Sequence, residues 1–507
     1  MSRDVNDEVN DDVNGDVNRD VEQAGDLAGR AARGAAVTVI GLGARLTIQV
    51  GSVVVLARLL SPHDYGVVAM VLAIVGVGDL LRDFGLSAAA VQAPHLSNGQ
   101  RNNLFWTNSA IGLLLGAVTF VAAAPIAAFY DTPALVPVTQ ALAGMFLLDG
   151  MMTQYRASLV RAMRFRAVAF VDVLSPAAAL VAAIVFAVIG AGYWALVAQQ
   201  LTGAAVGLVA FAIVGRWLPG RFDRKAPMRH LYSFGGYLLG SQLIGYLANN
   251  IDSMTIGHRF GPTPLGLYNR AFQLLMNPLN QVRAPSTTVA LPVLSRAGTT
   301  PQFDRIVRAG QLTLAYPVAI GLAILIGIAH PTVEILLGDA WAQVPPILRL
   351  LAVAGIFQTL SYVGYWVYLA RGLTRQLLQY STVSAVIRIT CVLVGSFWGV
   401  VGVAAGYAIA PMIAWPLSLW WLNRLTPFPV AALYRGAGRS LTIGAVAGLA
   451  SAGAAWCLRD GSPWLQVAAG LLAGLGAAAL LALAPPFRRD VATLRAAVTA
   501  ALRRPRG

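Results

Sequence analysis

Apolar runs of about 20 residues recur along this chain from Ala36 to Ala484, separated by short polar breaks. Each run has the length that an α-helix needs to cross the hydrocarbon core of a bilayer. The chain is 57% hydrophobic and 12% charged, whereas a soluble domain has about 25% charged residues. Segments of about 10 residues with alternating hydropathy, typical of transmembrane barrels, do not occur. The sequence therefore predicts an all-α polytopic membrane protein.

We count fourteen such runs and expect two pseudo-symmetric six-helix lobes plus two extra C-terminal helices. The eighth run is interrupted by Pro278, Pro285 and Pro292, and it is the least regular together with the thirteenth. The predicted spans are 36–58, 65–91, 105–129, 134–155, 168–190, 193–216, 231–256, 266–294, 309–330, 345–369, 377–397, 399–423, 440–458 and 463–485. The predicted units are an N-lobe (35–217), an inter-lobe loop (218–230), a C-lobe (231–425) and helices 13 and 14 (434–486).

Both ends of the chain are polar. Residues 1–34 repeat an acidic motif (DVN, DEVN, DDVN, GDVN) without apolar periodicity, which predicts a disordered acidic tail. This stretch lacks the basic-then-apolar order of a cleavable signal peptide, so the first span is expected to be a retained signal anchor. Residues 487–507 are predicted to be a basic tail.

The net charge of +15 is distributed unevenly between loops. Seventeen basic residues lie in alternate loops and six more follow the last span, whereas the opposite loops hold only Arg58, Arg259 and Arg459. The seventeen are Arg101, Arg161, Arg164, Arg166, Arg216, Arg221, Arg224, Lys225, Arg229, Arg296, Arg305, Arg308, Arg371, Arg375, Arg424, Arg435 and Arg439. The positive-inside rule then places both termini in the cytoplasm. This pattern favours topology and contact with anionic lipid over nucleic-acid binding as the reason for the basic charge.

An internal repeat relates the two predicted lobes at an offset of 200 residues. The segment LLSPHDYG at 59–66 aligns with RFGPTPLG at 259–266, so that Pro62 matches Pro262 and Gly66 matches Gly266. Repeat-built membrane bundles hold their substrate between the halves and rock to expose it on alternate sides.

Ionisable side chains fall inside the predicted spans, where a central charge costs about 2.5–3.5 kcal/mol on insertion scales. They comprise seven arginines and five aspartates. The set is Arg45, Asp79, Arg82, Asp83, Asp149, Arg156, Asp172, Asp252, Arg270, Arg283, Arg349 and Arg388. Because a guanidinium is permanently charged and binds phosphate or carboxylate bidentately, the arginine excess favours an anionic cargo.

Several of these residues have structural alternatives. Asp79 and Arg82 lie three apart on one helix face, so they either neutralise each other or serve transport together with Asp83. Asp252 and Arg270 are expected to form an ion pair, either as an outer gate or as a fixed link between neighbouring helices.

Six further embedded charges fall into two groups according to their depth within the predicted spans. Arg156, Asp172 and Arg349 lie near predicted boundaries and are expected to snorkel. Arg45, Arg283 and Arg388 fall nearer the middle of their spans and are expected to face a cavity.

Signatures of catalysis are missing from the sequence. The five histidines lack metal-binding spacing, and no Walker or dinucleotide loop occurs. The only two cysteines, Cys391 and Cys457, lie within predicted spans. We therefore predict no enzymatic activity, metal or cofactor.

The sequence resembles the polysaccharide flippases of the multidrug/oligosaccharidyl-lipid/polysaccharide exporter superfamily, in particular the colanic acid exporter branch, from about residue 35 to 485. The motifs that carry the resemblance are ARLLSPHDYGVVAM (57–70), DLLRDFGLSAAAVQ (79–92), FWTN (105–108), RFRAVAFVDV (164–173), GYWALVAQQ (192–200), LGLYNRAFQLL (265–275) and LPVLSRA (291–297). Their order and spacing make the resemblance specific.

The resemblance implies a fourteen-helix transporter in the bacterial inner membrane that moves an undecaprenyl-diphosphate-linked glycan to the outer leaflet, without a cofactor. The implied partners are the bilayer, a polysaccharide polymerase and other assembly proteins. The substrate-binding candidates are Arg45, Arg270, Arg283 and Arg388, and the coupling or gating candidates are Asp79, Arg82, Asp83 and Asp252. The alternatives are a cation-coupled drug exporter of the same superfamily and a glycan polymerase or ligase.

Overall fold

The protein is represented by a computed structural model that describes residues 43, 47–83, 96–228, 246, 249–298 and 300–502. Within these residues the secondary structure is helical, without strands. The names first lobe and second lobe are used here for the predicted N-lobe and C-lobe, whose boundaries stay a prediction. The first-lobe helices are α1 (Thr47–Leu59), α2 (Pro62–Asp83), α3 (Asn98–Val121), α4 (Ala123–Phe129), α5 (Leu135–Arg161), α6 (Phe165–Val188) and α7 (Trp194–Gly215). The second lobe contains α8 (249–260), α9 (Pro262–Ala297), α10 (Pro301–Gly327), α11 (Ala329–Leu337), α12 (Val344–Ala370), α13 (Thr374–Gly395) and α14 (Gly399–Leu425). The last helices are α15 (Val430–Cys457), α16 (Pro463–Ala482) and α17 (Pro485–Leu502).

The all-α membrane fold predicted from hydropathy is confirmed. Nine helical segments of the described chain are long and apolar enough to cross a membrane, and the stretches Thr47–Leu59 of α1 and Pro62–Gly78 of α2 are apolar as well. Only 246 and 249–256 of the predicted seventh span are described. The count of fourteen spans stays a prediction.

Local sequence signals fix several helix ends. Ser97 and Gln100 form a capping box at the start of α3, in which each side chain accepts a hydrogen bond from the other's backbone N–H. Pro262 occupies the first turn of α9, where its missing N–H has no intrahelical partner to lose. The preceding Gly261 has a φ of 84°, a conformation that favours glycine.

Two ends of the bundle are distinguished by their loops. We call the end that carries Pro62 and Pro262 the proline end, and the end that carries Arg161, Arg216 and Arg424 the basic end. The long helices run between these two ends, whereas the short helices α4 and α11 lie within connections.

The lobes share a hydrophobic core that extends from the proline end toward the middle of the bundle. It contains Val67 and Leu196 of the first lobe together with Leu265 and Leu348 of the second. At the basic end the described residues form separate cores. One surrounds Phe105, Tyr155 and Phe211, and the other surrounds Phe303, Trp366 and Trp415. The described parts of the lobes are therefore joined at the proline end.

At the proline end α2 and α9 cross at the two glycines of the internal repeat. A Cβ atom added to Gly66 would lie 1.7 Å from the carbonyl oxygen of Pro262, and one added to Gly266 would lie 1.8 Å from that of Pro62. Only glycine permits this approach of two backbones. The matching positions of the repeat thus pack reciprocally across the boundary between the lobes.

A tryptophan between α11 and α12 also links the lobes. Trp341 is fully buried, its Nε1 donates to the carbonyl oxygen of Ala57 at 2.8 Å, and its ring contacts that of Tyr65 edge-on at 5.6 Å. The guanidinium of Arg58 donates a hydrogen bond to the carbonyl oxygen of Ile335 and also links the two lobes.

The C-terminal helices pack against α10. Gly444 and Gly448 of α15 face the backbone of Ala319 and Ala323 so closely that an added Cβ would lie 2.9 and 2.7 Å from their carbonyl oxygens. Small residues allow this close helix packing in membranes. The segment expected to be a basic tail contains α17, whose Asp490 is buried against α10 and α15.

Candidate functional site

A cavity of 510 Å³ lies in the first lobe and is closed on one side by α9 of the second. Among the described residues, its ionisable lining apart from tyrosine consists of Asp149 and Arg270. Most of its polar lining is uncharged amide. These amides are Gln49, Gln199, Gln200, Asn269, Gln273 and Asn277.

Arg270 stacks on an aromatic ring at the wall of this first-lobe cavity. Its guanidinium carbon lies 3.4 Å from the centroid of the Tyr65 ring, a cation–π contact across the lobe boundary. The expected ion pair between Arg270 and Asp252 is absent from the described structure. Asp252 is 1% exposed, and its carboxylate accepts hydrogen bonds from the Tyr268 hydroxyl and from the backbone N–H of Ser253. Local hydrogen bonds therefore satisfy the carboxylate without Arg270.

A second cavity, of 340 Å³, lies in the second lobe between α9, α12, α13 and α14. Arg283 and Arg388 both line it, and no carboxylate does so among the described residues. Three tyrosines complete its aromatic wall. They are Tyr362, Tyr365 and Tyr380.

Neutral groups hold Arg283 in place. Its Nη2 donates to Asn280 Oδ1 at 2.6 Å, and its guanidinium carbon lies 5.8 Å from the Tyr362 ring centroid. Its Nη1 lies 3.3 Å from Gln358 Oε1. Because these contacts carry no formal negative charge, they orient the guanidinium without neutralising it.

Arg388 has one neutral partner and one acidic neighbour. Its Nη1 donates to Asn249 Oδ1, and its guanidinium carbon lies 5.6 Å from the Tyr407 ring centroid. The buried Asp252 carboxylate is close enough to interact with it electrostatically. Arg283 and Arg388 thus give the second-lobe cavity a positive potential with donors suited to an anion.

The structure brings together only part of the predicted substrate-binding set. Arg283 and Arg388 share the second-lobe cavity, whereas Arg270 lines the first-lobe cavity. Arg45 lies outside the described residues.

The coupling candidates of α2 are only partly described. The side chains of Asp79 and Asp83 lie outside the described part, although their backbone belongs to α2. Arg82 donates from Nη1 to Thr153 Oγ1 of α5 at 3.2 Å. The predicted pairing of Asp79 with Arg82 therefore stays a prediction.

The boundary residues make local contacts. Arg156 and Asp172 join α5 to α6 through an ion pair of 2.9 Å, so they pair with each other. Arg349 donates from Nε to the carbonyl oxygen of Ile326 at 3.2 Å. None of the three lines either cavity.

Sequence reasoning missed the uncharged lining of the first-lobe cavity because it weighed only charged groups. A signal was present, since Asn269, Gln273 and Asn277 recur every four residues and mark one face of α9. Asn280 and Arg283 continue along the same helix into the second-lobe cavity.

A bundle of membrane-crossing helices with a polar cavity in each lobe defines the class of multi-pass membrane transporters. Within that class, the chain belongs to a family of polysaccharide biosynthesis proteins, whose profile matches residues 55–346.

Curated relatives agree with this family. A teichuronic acid biosynthesis protein of Bacillus subtilis strain 168 is 28% identical over 302 residues, which are 58% of this chain and 61% of the relative. The chain thus matches about three fifths of that relative's length. The lipopolysaccharide biosynthesis protein WzxC of Escherichia coli strain K12 is 23% identical over 390 residues, 75% of this chain and 77% of the relative.

Solved structures share the fold. The lipid II flippase MurJ, in an inward closed conformation, superimposes with a TM-score of 0.67 at 14% identity and covers 88% of this chain and 98% of its own. An inward-facing multidrug resistance MATE family transporter gives a TM-score of 0.58 at 15% identity. The superposition covers 78% of this chain and 99% of that transporter's chain.

Proposed function

We propose that this protein moves an undecaprenyl-linked, anionic oligosaccharide across the bacterial cytoplasmic membrane for the synthesis of O-antigen, capsule or exopolysaccharide. The observation that carries the proposal is the pair Arg283 and Arg388 in a cavity that no described carboxylate lines. The Arg283 guanidinium is buried without a carboxylate partner among the described residues, and the half-buried Arg388 guanidinium has Asp252 nearby. Both groups are suited to bind a phosphate or an acidic sugar. The names of the relatives, which refer to teichuronic acid and lipopolysaccharide biosynthesis, support a glycan cargo.

Alternating access is the transport mechanism in this proposal. The shared core closes the lobes at the proline end, and the described cores at the basic end are separate. With the basic end and both termini in the cytoplasm, as the positive-inside rule predicts, the lipid diphosphate enters from the inner leaflet. Rocking of the lobes then releases it to the outer leaflet.

The charged candidates divide between binding and coupling. Arg283 and Arg388 hold the anionic group, while Arg270, in the first-lobe cavity, and Arg45 contact other parts of the substrate. Asp252, or the α2 group of Asp79, Arg82 and Asp83, serves in coupling or gating. A polysaccharide polymerase and other assembly proteins receive the product.

A second candidate is a cation-coupled exporter of small molecules. Asp149 in the first-lobe cavity is the observation that favours it, since a carboxylate attracts cationic drugs. The positive second-lobe cavity would repel such compounds. Drug accumulation in a deletion strain separates the two candidates, because only a drug exporter changes it.

Analysis of lipid-linked intermediates in a deletion strain tests the proposal in cells. We expect an undecaprenyl-diphosphate-linked glycan to accumulate, and its structure identifies the cargo. An unchanged pool of intermediates would contradict the proposal.

Liposomes containing the purified protein and that glycan lipid test the cavity arginines. The double variant Arg283→Gln/Arg388→Gln should slow flipping at least about tenfold, since each charge-assisted hydrogen bond contributes about 1.5–3 kcal/mol. Arg349→Gln is the matched control, because Arg349 contacts a backbone carbonyl outside both cavities. Equal flipping by the double variant and the wild type would refute the role of the arginine pair.

A further inference from the structure

The first-lobe cavity is lined by six amide side chains, and most of them lack a protein partner. Gln200, Asn269, Gln273 and Asn277 make no side-chain hydrogen bond within the described structure. They come from two facing elements, Gln200 from α7 and the others from one face of α9. Their hydrogen-bonding capacity is therefore directed into the cavity.

The remaining two amides are tied to neighbours. Gln199 donates from Nε2 to Ser52 Oγ at 3.0 Å, and Gln49 Oε1 lies 3.3 Å from Gln281 Nε2. These contacts hold the wall formed by α1, α7 and α9 in place. The cavity volume of 510 Å³ lies within the range of about 300–1,000 Å³ that is typical of small-molecule sites.

The chemistry of these amides selects a ligand class. Each amide has a carbonyl oxygen that accepts and an NH₂ group that donates two hydrogen bonds. A sugar hydroxyl likewise both donates and accepts, so an amide pairs with it whichever way it is oriented. A phosphate oxygen only accepts hydrogen bonds. The amide carbonyl oxygens, which also only accept, would then face an anion without a donor between them.

We propose that the first-lobe cavity binds the uncharged sugars of the transported glycan through hydrogen bonds from its amides to their hydroxyls. This inference rests on the proposed function, in which Arg283 and Arg388 hold the anionic group. Helix α9 lines both cavities, and a rise of 1.5 Å per residue places Gln273 about 15 Å along the helix from Arg283. A single oligosaccharide headgroup spans that separation, so the two cavities act as subsites of one binding region.

The test compares two ligands on purified full-length protein. The probes are undecaprenyl diphosphate and the glycan-bearing undecaprenyl diphosphate extracted from the deletion strain. The measured quantity is the ratio of the Kd for undecaprenyl diphosphate to the Kd for the glycan-bearing lipid. We expect this ratio to be at least about 10 for the wild type, which corresponds to about 1.4 kcal/mol. Gln200→Leu and Gln273→Leu should each reduce this ratio by about twofold to tenfold, the range for one net hydrogen bond.

This ratio of Kd values separates sugar recognition from a structural role of the amides, because a distorted cavity would weaken the binding of both lipids to the same extent. Gln302→Leu is the matched control, since Gln302 is exposed near the start of α10 and outside both cavities. If a leucine variant misfolds, the double variant Gln200→Ala/Gln273→Ala replaces it and should reduce the ratio by about fourfold or more, because two hydrogen bonds are lost.

The outcomes distinguish this inference from the proposed function. A wild-type preference that persists in the amide variants would overturn the sugar subsite and leave the proposed function intact. Equal binding of the two lipids by the wild type would also overturn it. If the wild type binds neither lipid, the proposed function itself fails.

Discussion

Asp490 connects the last described helix to the bundle through three hydrogen bonds. Its carboxylate accepts from Arg439 Nε at 2.6 Å, from Arg439 Nη2 at 2.9 Å and from the Tyr316 hydroxyl at 2.6 Å. The side chain is 2% exposed, so each of these bonds lies away from water. The sequence around Asp490 is rich in arginine and predicts only a basic tail. Its partners lie 51 and 174 residues earlier, and local sequence contains no information about such distant contacts.

Replacing Asp490 tests whether α17 is held by this cluster. Asp490→Asn removes the charge opposite Arg439, and the partly buried guanidinium then loses a bidentate acceptor. We expect a loss of about 1–3 kcal/mol in stability, visible as a lower melting temperature of the detergent-solubilised protein. Asp460→Asn is the control, because the Asp460 side chain is 97% exposed and its removal should leave the melting temperature unchanged. Equal melting temperatures for Asp490→Asn and the wild type would show that the cluster does not stabilise the fold.

At the level of single elements, α9 shows what sequence patterns can and cannot predict. Hydropathy predicts a helix over 266–294 that is interrupted by prolines, and the structure has one helix over Pro262–Ala297. Packing against α2 and α12 maintains it, as neighbouring helices do for proline-containing membrane helices. The 200-residue repeat indicated that Gly66 and Gly266 are equivalent. Their mutual contact could not be predicted, because it depends on how the lobes pack.

Adding a methyl group at this crossing should separate α2 from α9. Gly66→Ala places a Cβ 1.7 Å from the carbonyl oxygen of Pro262, so the backbones must move apart. We expect a lower melting temperature and slower glycan-lipid flipping in liposomes. Gly144→Ala is the control, because Gly144 lies within α5 with no atom within 4 Å of the added carbon, and alanine favours helix there. If Gly66→Ala behaved like Gly144→Ala, the close approach of the two helices would be disproved.

For the whole molecule, the packing of the helices decides which features of the site could be predicted from the sequence. Hydropathy identified Arg270 and Arg283 as embedded charges, because that property depends only on neighbouring residues. Their assignment to different cavities depends on the packing of α9 against α2 on one side and α12 on the other. The shared core beside them joins the lobes at the proline end, and in the proposed alternating-access mechanism this end is the closed one.

Trp341 provides a test of that closure, because its contacts with Ala57 and Tyr65 cross the lobe boundary. Trp341→Ala removes one hydrogen bond and a large buried ring, so it should favour conformations in which the proline end opens. The reporter is Leu265→Cys, a fully buried position in the shared core, in a chain whose Cys391 and Cys457 are replaced by serine. The positive-inside rule predicts that the proline end faces outward. A membrane-impermeant maleimide added outside intact cells should therefore label this cysteine severalfold faster in the Trp341→Ala variant.

Trp464→Ala is the matched control for this labelling, since Trp464 lies at the same end but is 70% exposed. It should leave the labelling rate at its original value. Faster labelling only with Trp341→Ala would mean that the tryptophan closes the proline end in the resting protein. Equal rates in all three chains would mean that the rest of the shared core and the crossing of α2 and α9 close this end without the tryptophan.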